Sequence, residues 1–480
     1  MKWILIVLVV AFLLHLTLNA QNSTSFDKAI ALYDHTDGSY TGGDALTLSI
    51  RNKKLDIDLY AGAYVVYIEW DEKNLPISYI NIYKNGDKKF IKRVYLKASD
   101  IGHRWNFFID NSLKPSTKYS YRVELVLMNN KKIYEDLSFK TKKSTKKREK
   151  RAFKIYDDLE GRSGKEQYLK KYTKTRTMKS FGLENSAMFW VDDFFYPIPS
   201  YKDADPNRIK TQPQIKTLQK LVKEKMNSKY LHNRVEPNGG FIMLDIEHVP
   251  TNVSYVEKEF SPYGSLISKM VDSKKVTKNG RKIVSRTIAK KLKSIKAVKD
   301  IYPNTKVGLW DSIVSYNRYN EGYRNRDYNA LAKGVDNSWL INYDEWHNKD
   351  TKIYKAFIDV VDFVSPALYP AFSLKSYSDK KKQIGMVLSR LMEIKRLNPD
   401  AIVIPSISPH YTEGWAYHSG IGAKPVEKGV FKWYLDQLYQ FYKDGLIDSI
   451  EIWGDNEKTD FQEYPKQDWW GELWEFSHKK

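Results

Sequence analysis

Asp245 and Glu247 stand two residues apart at the end of an apolar run, 241–244, that follows Gly239 and Gly240. In an extended chain the side chains alternate. Met243, Asp245 and Glu247 then share one face, and Ile242, Leu244 and Ile246 share the other. With the aliphatic face against helices, the two carboxylates stand together where the strand ends. Two close negative charges resist joint ionisation, so one of them tends to hold a proton near neutral pH. A protonated carboxyl beside an ionised one can serve as a general acid. The competing role of a strand-end carboxylate is structural: it caps the next helix or pairs with a lysine.

Other apolar runs end in a similar way. Runs at 187–191, 306–310, 363–368, 401–406 and 449–453 are each followed or closed by carboxylates, flat aromatics or histidine. Candidate catalytic residues are Glu247 and Asp245. Candidate substrate contacts are Asp193, Trp310, Tyr369, His410, Tyr411, Glu451 and Trp453. Carboxylates supply acid and base, and aromatic rings stack on the C–H faces of pyranose rings, so this mixture fits a sugar site. Glu451 shares the face of Trp453 and reads equally well as the buried partner of an Arg or Lys. Asp192 and Asp193 read equally as helix caps. His248 and His410 lack metal-ligand spacing, and neither a metal nor a cofactor is expected. There is no G-x-S-x-G elbow, G-x-G-x-x-G turn or P-loop to support an esterase or nucleotide site.

The elements that must hold these groups follow from periodicity. Amphipathic helical stretches at 214–226, 283–298, 376–397 and 430–443 separate the near-continuous apolar strands. That alternation predicts a parallel sheet covered by helices. Over residues 181–480 it predicts an α/β barrel, TIM-like, with seven or eight strands; six are clear and another is expected near 338–342. An open doubly wound sheet is the alternative. Residues 26–141 instead alternate with period two, clearest where Tyr119, Tyr121, Val123, Leu125 and Leu127 face inward. Further strands are expected at 45–51, 64–70, 79–84 and 137–141, with an Asn85-Gly86 turn, and together they predict an N-terminal β-sandwich. Residues 142–180 open in a basic run and read as a linker.

Of 480 residues, 79 are Lys or Arg and 58 Asp or Glu, a formal +21. Hydrophobic residues at 42% and aromatics at 14% exclude a disordered or collagen-like chain. The absence of cysteine excludes a disulfide scaffold, a thiolate metal site and a cysteine nucleophile. The basic excess points to an anionic partner. Residues 1–20, with Lys2, an apolar core over 4–14 and Ala20 before Gln21, fit a cleaved secretory signal peptide; an uncleaved anchor is the rival. The expected location is secreted, periplasmic or cell-surface, with no membrane contact beyond that segment. Nucleic acid then drops out as a partner, and an anionic polysaccharide substrate takes its place.

Two resemblances accompany these readings. Leu113, Pro115, Thr117 and Tyr119, followed by Val123, resemble the fibronectin type III pattern around its tyrosine corner, and Trp70 is similar to that family's core Trp. The order Gln212-Pro213-Gln214, Asp245-Ile246-Glu247, Leu309-Trp310, Leu368-Tyr369-Pro370 and Ile452-Trp453-Gly454 resembles the hyaluronidase family of glycoside hydrolases. That resemblance implies Glu247 as acid/base. It implies Asp245 as the group that orients the substrate's own 2-acetamido nucleophile, and Trp453 in the sugar pocket. Two tyrosines of that pattern are Ile313 and Ser373 here. Chitinase-like barrels share the Asp-x-Glu ending, but their earlier Asp is missing, with Phe241 and Met243 in its place.

Overall fold

The computed structural model describes residues 25–33, 45–51, 55–71, 76–95, 107–144, 152–157, 170–171, 173–174, 178–185, 187–190, 219–220, 223, 241–245, 271–272, 275–276, 278–310, 354–411, 424–453 and 469–479. The candidate signal segment, Asp193, Glu247 and the strand expected at 338–342 lie outside these residues. The described chain divides into two compact units. One holds 185–314 and 353–365 together with the first 42 residues; the other holds 43–184, 315–352 and 366–480.

The second unit begins with eight antiparallel strands: β1 (Leu46–Arg51), β2 (Asp56–Ala61), β3 (Val66–Asp71), β4 (Ile77–Lys84), β5 (Lys92–Tyr95), β6 (Phe107–Asp110), β7 (Lys118–Leu127) and β8 (Lys132–Lys140). They form two sheets, ordered β1-β2-β3-β6 and β5-β4-β7-β8. Alternate residues from both sheets share one core, including Leu59, Ile68 and Trp70 from the first and Ile82, Val123 and Leu137 from the second. This is the expected sandwich. The tyrosine corner is formed: the Tyr119 hydroxyl accepts the Lys114 N–H at 2.9 Å. Asn85 (φ +52°) and Gly86 (φ +79°) make the expected turn, closed by Asp87 N–H to the Lys84 carbonyl. The return strand starts only at Lys92, so the connection is longer than a two-residue hairpin.

After the sandwich come β9 (Ile155–Asp157), β10 (Glu184–Asn185), β11 (Ala187–Trp190), β12 (Phe241–Asp245), β13 (Val271–Asp272), β14 (Lys275–Val276), β15 (Lys306–Trp310), β16 (Phe363–Ser365), β17 (Ser406–Ile407) and β18 (Ile450–Ile452). Strands β11-β12-β15-β16 form a parallel sheet, and β17, β18 and β9 pair in parallel in a second, with β10 beside β9. Strand β9 lies in the stretch expected to be a linker, where a three-residue strand amid charged neighbours gives no periodic signal. Among the described residues no closed barrel ring is formed. Of the run at 401–406 only Ser406 lies in a strand, the two-residue β17, while the helices Tyr377–Leu397 and Val430–Lys443 match expectation within a residue. Phe431, Tyr434, Leu435, Leu438 and Phe441 are buried at helical spacing. Among the described residues no helix is long and apolar enough to cross a membrane.

Within the second unit the sandwich is locked to the helix Tyr377–Leu397. Arg396, buried near its end, donates Nε to Glu69 of β3, at 2.9 and 3.0 Å from the two carboxylate oxygens. Tyr60 and Tyr67 also donate to Glu69, at 3.2 and 2.6 Å. Burial and the neighbouring Glu69 charge push the Tyr67 hydroxyl well above its ordinary pKa, so it remains a donor. Just past the helix, Asp400 accepts the Ala63 and Tyr64 N–H groups. A Cβ at Gly62 would stand 2.5 Å from that carboxyl, so the close approach requires glycine.

Removing one partner of a buried pair strands the other charge. Arg396→Ala is expected to cost about 3–5 kcal/mol in urea unfolding, and Glu69→Leu combined with Arg396→Met is expected to recover most of it. A double variant no more stable than the single one would refute this account. Acid stability has a second origin in Asp110. Burial alone would raise its pKa, but hydrogen bonds from Lys84, Ser112 and Tyr121 outweigh burial and hold it below the usual carboxylate value. Its contribution is therefore full above the unfolded value of about 3.9 and is lost as pH falls through the lower folded value. Asp110→Asn is expected to flatten the acid limb of the unfolding midpoint measured below about pH 4.

Candidate functional site

In the first unit, parallel pairing sets the levels at which strand residues stand. Met243, Gly308 and Phe363 are in register across β12, β15 and β16. The Phe363 ring lies over Gly308, where an added Cβ would meet it at 2.5 Å. One level further along, at the carboxyl ends, Trp190 is in register with Asp245, and Trp310 with Ser365. Asp245 thus closes β12 and Trp310 closes β15, as the periodicity requires. Trp310 is buried, and the Ser365 hydroxyl is buried with no hydrogen-bond partner. Asp362, at the opposite end of β16, accepts the Val307 N–H at 2.9 Å and pairs with Lys299 of the helix Lys278–Ile301.

In the second unit, Tyr369 and Trp453 stack with ring centroids 5.5 Å apart and planes 17° from parallel. Trp453 follows β18, donating its N–H to the Ile407 carbonyl at 2.8 Å, and its ring is part-exposed. Tyr369 is buried, and its hydroxyl lies 3.3 Å from the Ser406 hydroxyl. The segment carrying Tyr369 is held from behind by buried Gln383. Its Oε1 accepts the Ala371 N–H at 2.9 Å, and its Nε2 donates to the Tyr369 carbonyl at 3.2 Å. Tyr434 adds a hydrogen bond to the Leu368 carbonyl. Leu374, where that segment turns toward the helix, is buried with φ +54°, a left-handed conformation that packing must sustain in a non-glycine residue.

The remaining candidates fall into distinct surroundings. Glu451 is buried in β18, in register with Ser406 and Tyr156. Trp453, expected to share its face, lies just beyond the end of that strand. His410 is buried, its ring edge-on to Trp469 at 6.1 Å. Tyr411 donates to the Ser373 carbonyl and to Glu427. Burial first, and the hydrogen bond to Glu427 second, push its hydroxyl far above its ordinary pKa. Ser373, which stands where the hyaluronidase pattern has a tyrosine, donates instead to Asp379 at 2.8 Å. Asp193 and Glu247 lie outside the described residues, and for Asp245 only the backbone is described. Asp157, the buried last residue of β9 and in register with Ile452, escaped the sequence reading. The signal was an Ile-Tyr pair ending in Asp157-Asp158, hidden behind the basic run.

Replacing Gly308 tests the level beneath the strand ends. Gly308→Ala drives a methyl into the Phe363 ring and is expected to cost about 1–3 kcal/mol in denaturant unfolding. Adding Phe363→Leu should recover part of that loss; a neutral single variant would show that Phe363 is not fixed over Gly308.

No family model matches this sequence, and no curated protein does. Solved structures give distant likenesses. Bee venom hyaluronidase, in complex with a hyaluronic acid tetramer, is 13% identical with a TM-score of 0.43, over 68% of this chain and all of that one. A xyloglucanase from Bacteroides ovatus is 8% identical with a TM-score of 0.26, over 88% of this chain and 99% of that one. A human fibronectin type III domain is 19% identical with a TM-score of 0.14, over 22% of this chain and 94% of that one. At these scores the likenesses carry no functional argument, which therefore falls to the residues themselves.

Proposed function

We propose that this chain is an exported, endo-acting glycoside hydrolase whose substrate is an acidic polysaccharide containing N-acetylhexosamine, and that its parallel strands belong to a TIM-like barrel. The observation that carries the reading is the chemistry at the carboxyl ends of parallel strands. Asp245 closes β12, Trp310 closes β15, and β18 runs into Trp453, which stacks on Tyr369. A stacked pair with one part-exposed member is a platform for a pyranose face, and its backbone is tied down on both sides. Platforms of this kind gain from rigidity, because little conformational freedom is lost on binding.

In the proposed reaction Glu247 protonates the glycosidic oxygen while the substrate's acetamido oxygen attacks the anomeric carbon. The bond to the leaving sugar breaks, and a cyclic intermediate forms whose positive charge Asp245 stabilises. Glu247, now ionised, takes a proton from water as the water opens that intermediate, with net retention. An acidic substrate suits the formal +21 of the chain. Ile313 and Ser373, where the hyaluronidase pattern has tyrosines, favour a second reading, in which two carboxylates from different strands cut a sulfated glycan lacking acetamido groups. A third, non-catalytic reading keeps only the aromatic platform and makes the chain a glycan-binding protein.

Reducing ends released from hyaluronan, chondroitin, chitin and sulfated algal glycans separate these readings. Wild-type protein is expected to cleave hyaluronan or chondroitin, and Glu247→Gln to lower the rate about 10²–10⁴-fold. Cleavage confined to glycans without N-acetylhexosamine would replace the substrate-assisted route by the second reading. Binding without cleavage of any of the four would leave a lectin.

A further inference from the structure

Register assigns each side chain of the β5-β4-β7-β8 sheet to one of its two faces. Ile80, Ile82, Val94, Val123, Leu125 and Leu137 point into the sandwich core. The residues between them stand on the outer face. One register level there crosses all four strands: Arg93 of β5, Asn81 of β4, Glu124 of β7 and Tyr134 of β8. It is hydrogen-bonded from end to end. Arg93 Nε donates to the Asn81 side-chain oxygen at 2.8 Å, Asn81 Nδ2 donates to Glu124 at 2.7 Å, and the Tyr134 hydroxyl also donates to Glu124. Tyr83 and Lys132 add donors to the same carboxylate, each at 3.3 Å. Burial alone would raise the Glu124 pKa, but the hydrogen bonds from Asn81, Lys132 and Tyr134 outweigh it and keep the carboxylate ionised.

This polar line fixes the aromatic rings beside it. Asn81 and Glu124 are each 3% exposed, covered on the solvent side of the sheet by the longer side chains around them. The Arg93 guanidinium lies 4.2 Å from the Tyr79 ring centroid and 4.5 Å from that of Phe90, and Phe90 meets Tyr83 edge-on at 6.5 Å. At the far strand Arg122 forks onto Asp136 at 2.7 and 3.0 Å and lies 5.7 Å from the Tyr134 centroid. Phe90 and Tyr134 are nevertheless 42% and 49% exposed, large rings held in water near opposite edges of the sheet. The first and fourth strands lie roughly 14 Å apart, the reach of an oligosaccharide rather than of one sugar. Arg93, Arg122, Lys118, Lys132 and Lys140 share this face with Glu124 and Asp136, five cations against two carboxylates. The other side of the same strands differs. It opens on a cleft of about 590 Å³ between β5, β6 and the end of the helix Val430–Lys443, where Lys84 and Lys92 are already paired with Asp110 and Asp444.

We infer that the outer face of this sheet is a second, non-catalytic binding surface for a carboxylate- or sulfate-bearing polysaccharide. Sugar rings lay their C–H faces on Phe90 and Tyr134, and the acid groups meet the cations ranged across the strands. A protein partner is a poorer match, because charged and amide groups separate the rings and leave no contiguous apolar centre. The excess of cations selects an acidic ligand, and the choice of a glycan rests also on the proposed substrate class. Holding one part of a polymer raises the effective concentration of the rest at the strand-end site.

The test uses full-length protein carrying Glu247→Gln and Trp453→Ala, so that the proposed active site neither cleaves nor stacks, and calorimetric titration with hexasaccharides of hyaluronan and of chondroitin sulfate. Chitohexaose is the neutral control and tripolyphosphate the bare-anion control. Phe90→Ala and Tyr134→Ala are each expected to weaken the acidic hexasaccharide about three- to tenfold, as loss of an aromatic contact does. Lys118→Glu combined with Lys140→Glu should weaken it as well and make it less sensitive to salt. Binding should protect amides at 79–83 and 132–136 from exchange, and Lys479→Ala, at an exposed ion pair of the last helix, should change nothing. Unaltered affinity in both ring variants at unchanged melting temperature, protection elsewhere only, or equal affinity for chitohexaose or tripolyphosphate would overturn the proposal. Self-association of the free protein that Phe90→Ala abolishes would assign the face to a second copy of the chain instead. The outcome is independent of catalysis. Wild-type cleavage with no protection of this face removes the surface alone, and binding at the face with no wild-type cleavage removes the hydrolase alone.

Discussion

The buried pair of Arg396 and Glu69 constrains more of this molecule than its two residues suggest. A guanidinium and a carboxylate removed from water cost several kcal/mol each unless they meet each other and their spare hydrogen-bonding capacity is filled. Tyr60 and Tyr67 fill it on the carboxylate side, so a strand of the sandwich and the end of a helix must keep one relative position. The same helix buries two further cations. Arg390 donates to the Ala367 carbonyl, and Lys395 to the carbonyls of Pro399 and Ala401, at 3.4 and 2.9 Å. Rotating or sliding the helix would orphan all three cations together. The helix therefore acts as a fixed rail, and Gln383 on it inherits that fixity when it grips the Tyr369 backbone.

Rigidity at the aromatic stack thus traces back to buried charge some distance along the helix. A hydrophobic helix could have been packed more cheaply, since apolar replacements of buried pairs are often neutral or stabilising. What the polar version adds is register: each cation has its carbonyl or carboxylate partner at one level only. That is the property needed by a stacked pair whose separation of 5.5 Å decides whether a sugar ring finds a flat surface.

Much of the fold is legible in sequence because its signals are local. The period-two pattern of β7, the Asn85-Gly86 turn and the Tyr119 corner each depend on residues within a few positions of one another. The apolar runs of β12 and β15 end at Asp245 and Trp310, as burial on both faces followed by polar strand ends requires. Strand β9 is different. Its three residues sit between β10 and β18, the latter almost 300 positions later, so no local pattern announces it. His410 and Tyr411 show the same limit. Following an apolar run they read as site residues, and no local pattern announces that His410 meets Trp469 of a later helix or that Tyr411 meets Glu427, just before the helix Val430–Lys443. Periodicity says which residues end a strand, and only tertiary packing says which of those ends stay open.

Net charge illustrates the point in reverse. The formal +21 reads as a surface property, but Lys291, Arg390, Lys395 and Arg396 are all nearly inaccessible to solvent. Cations sealed against carbonyls and carboxylates contribute little to a field felt by a polymer outside, whereas those on a concave, partly apolar wall contribute strongly because low-dielectric walls concentrate the field. Residues 84–94 and 440–444 are far apart in the chain, and neither segment is conspicuous beside the basic run at 140–154. Folding brings them to one cleft and keeps the buried cations out of it. The distribution of charge, rather than its sum, therefore decides what a polymer outside the protein would meet.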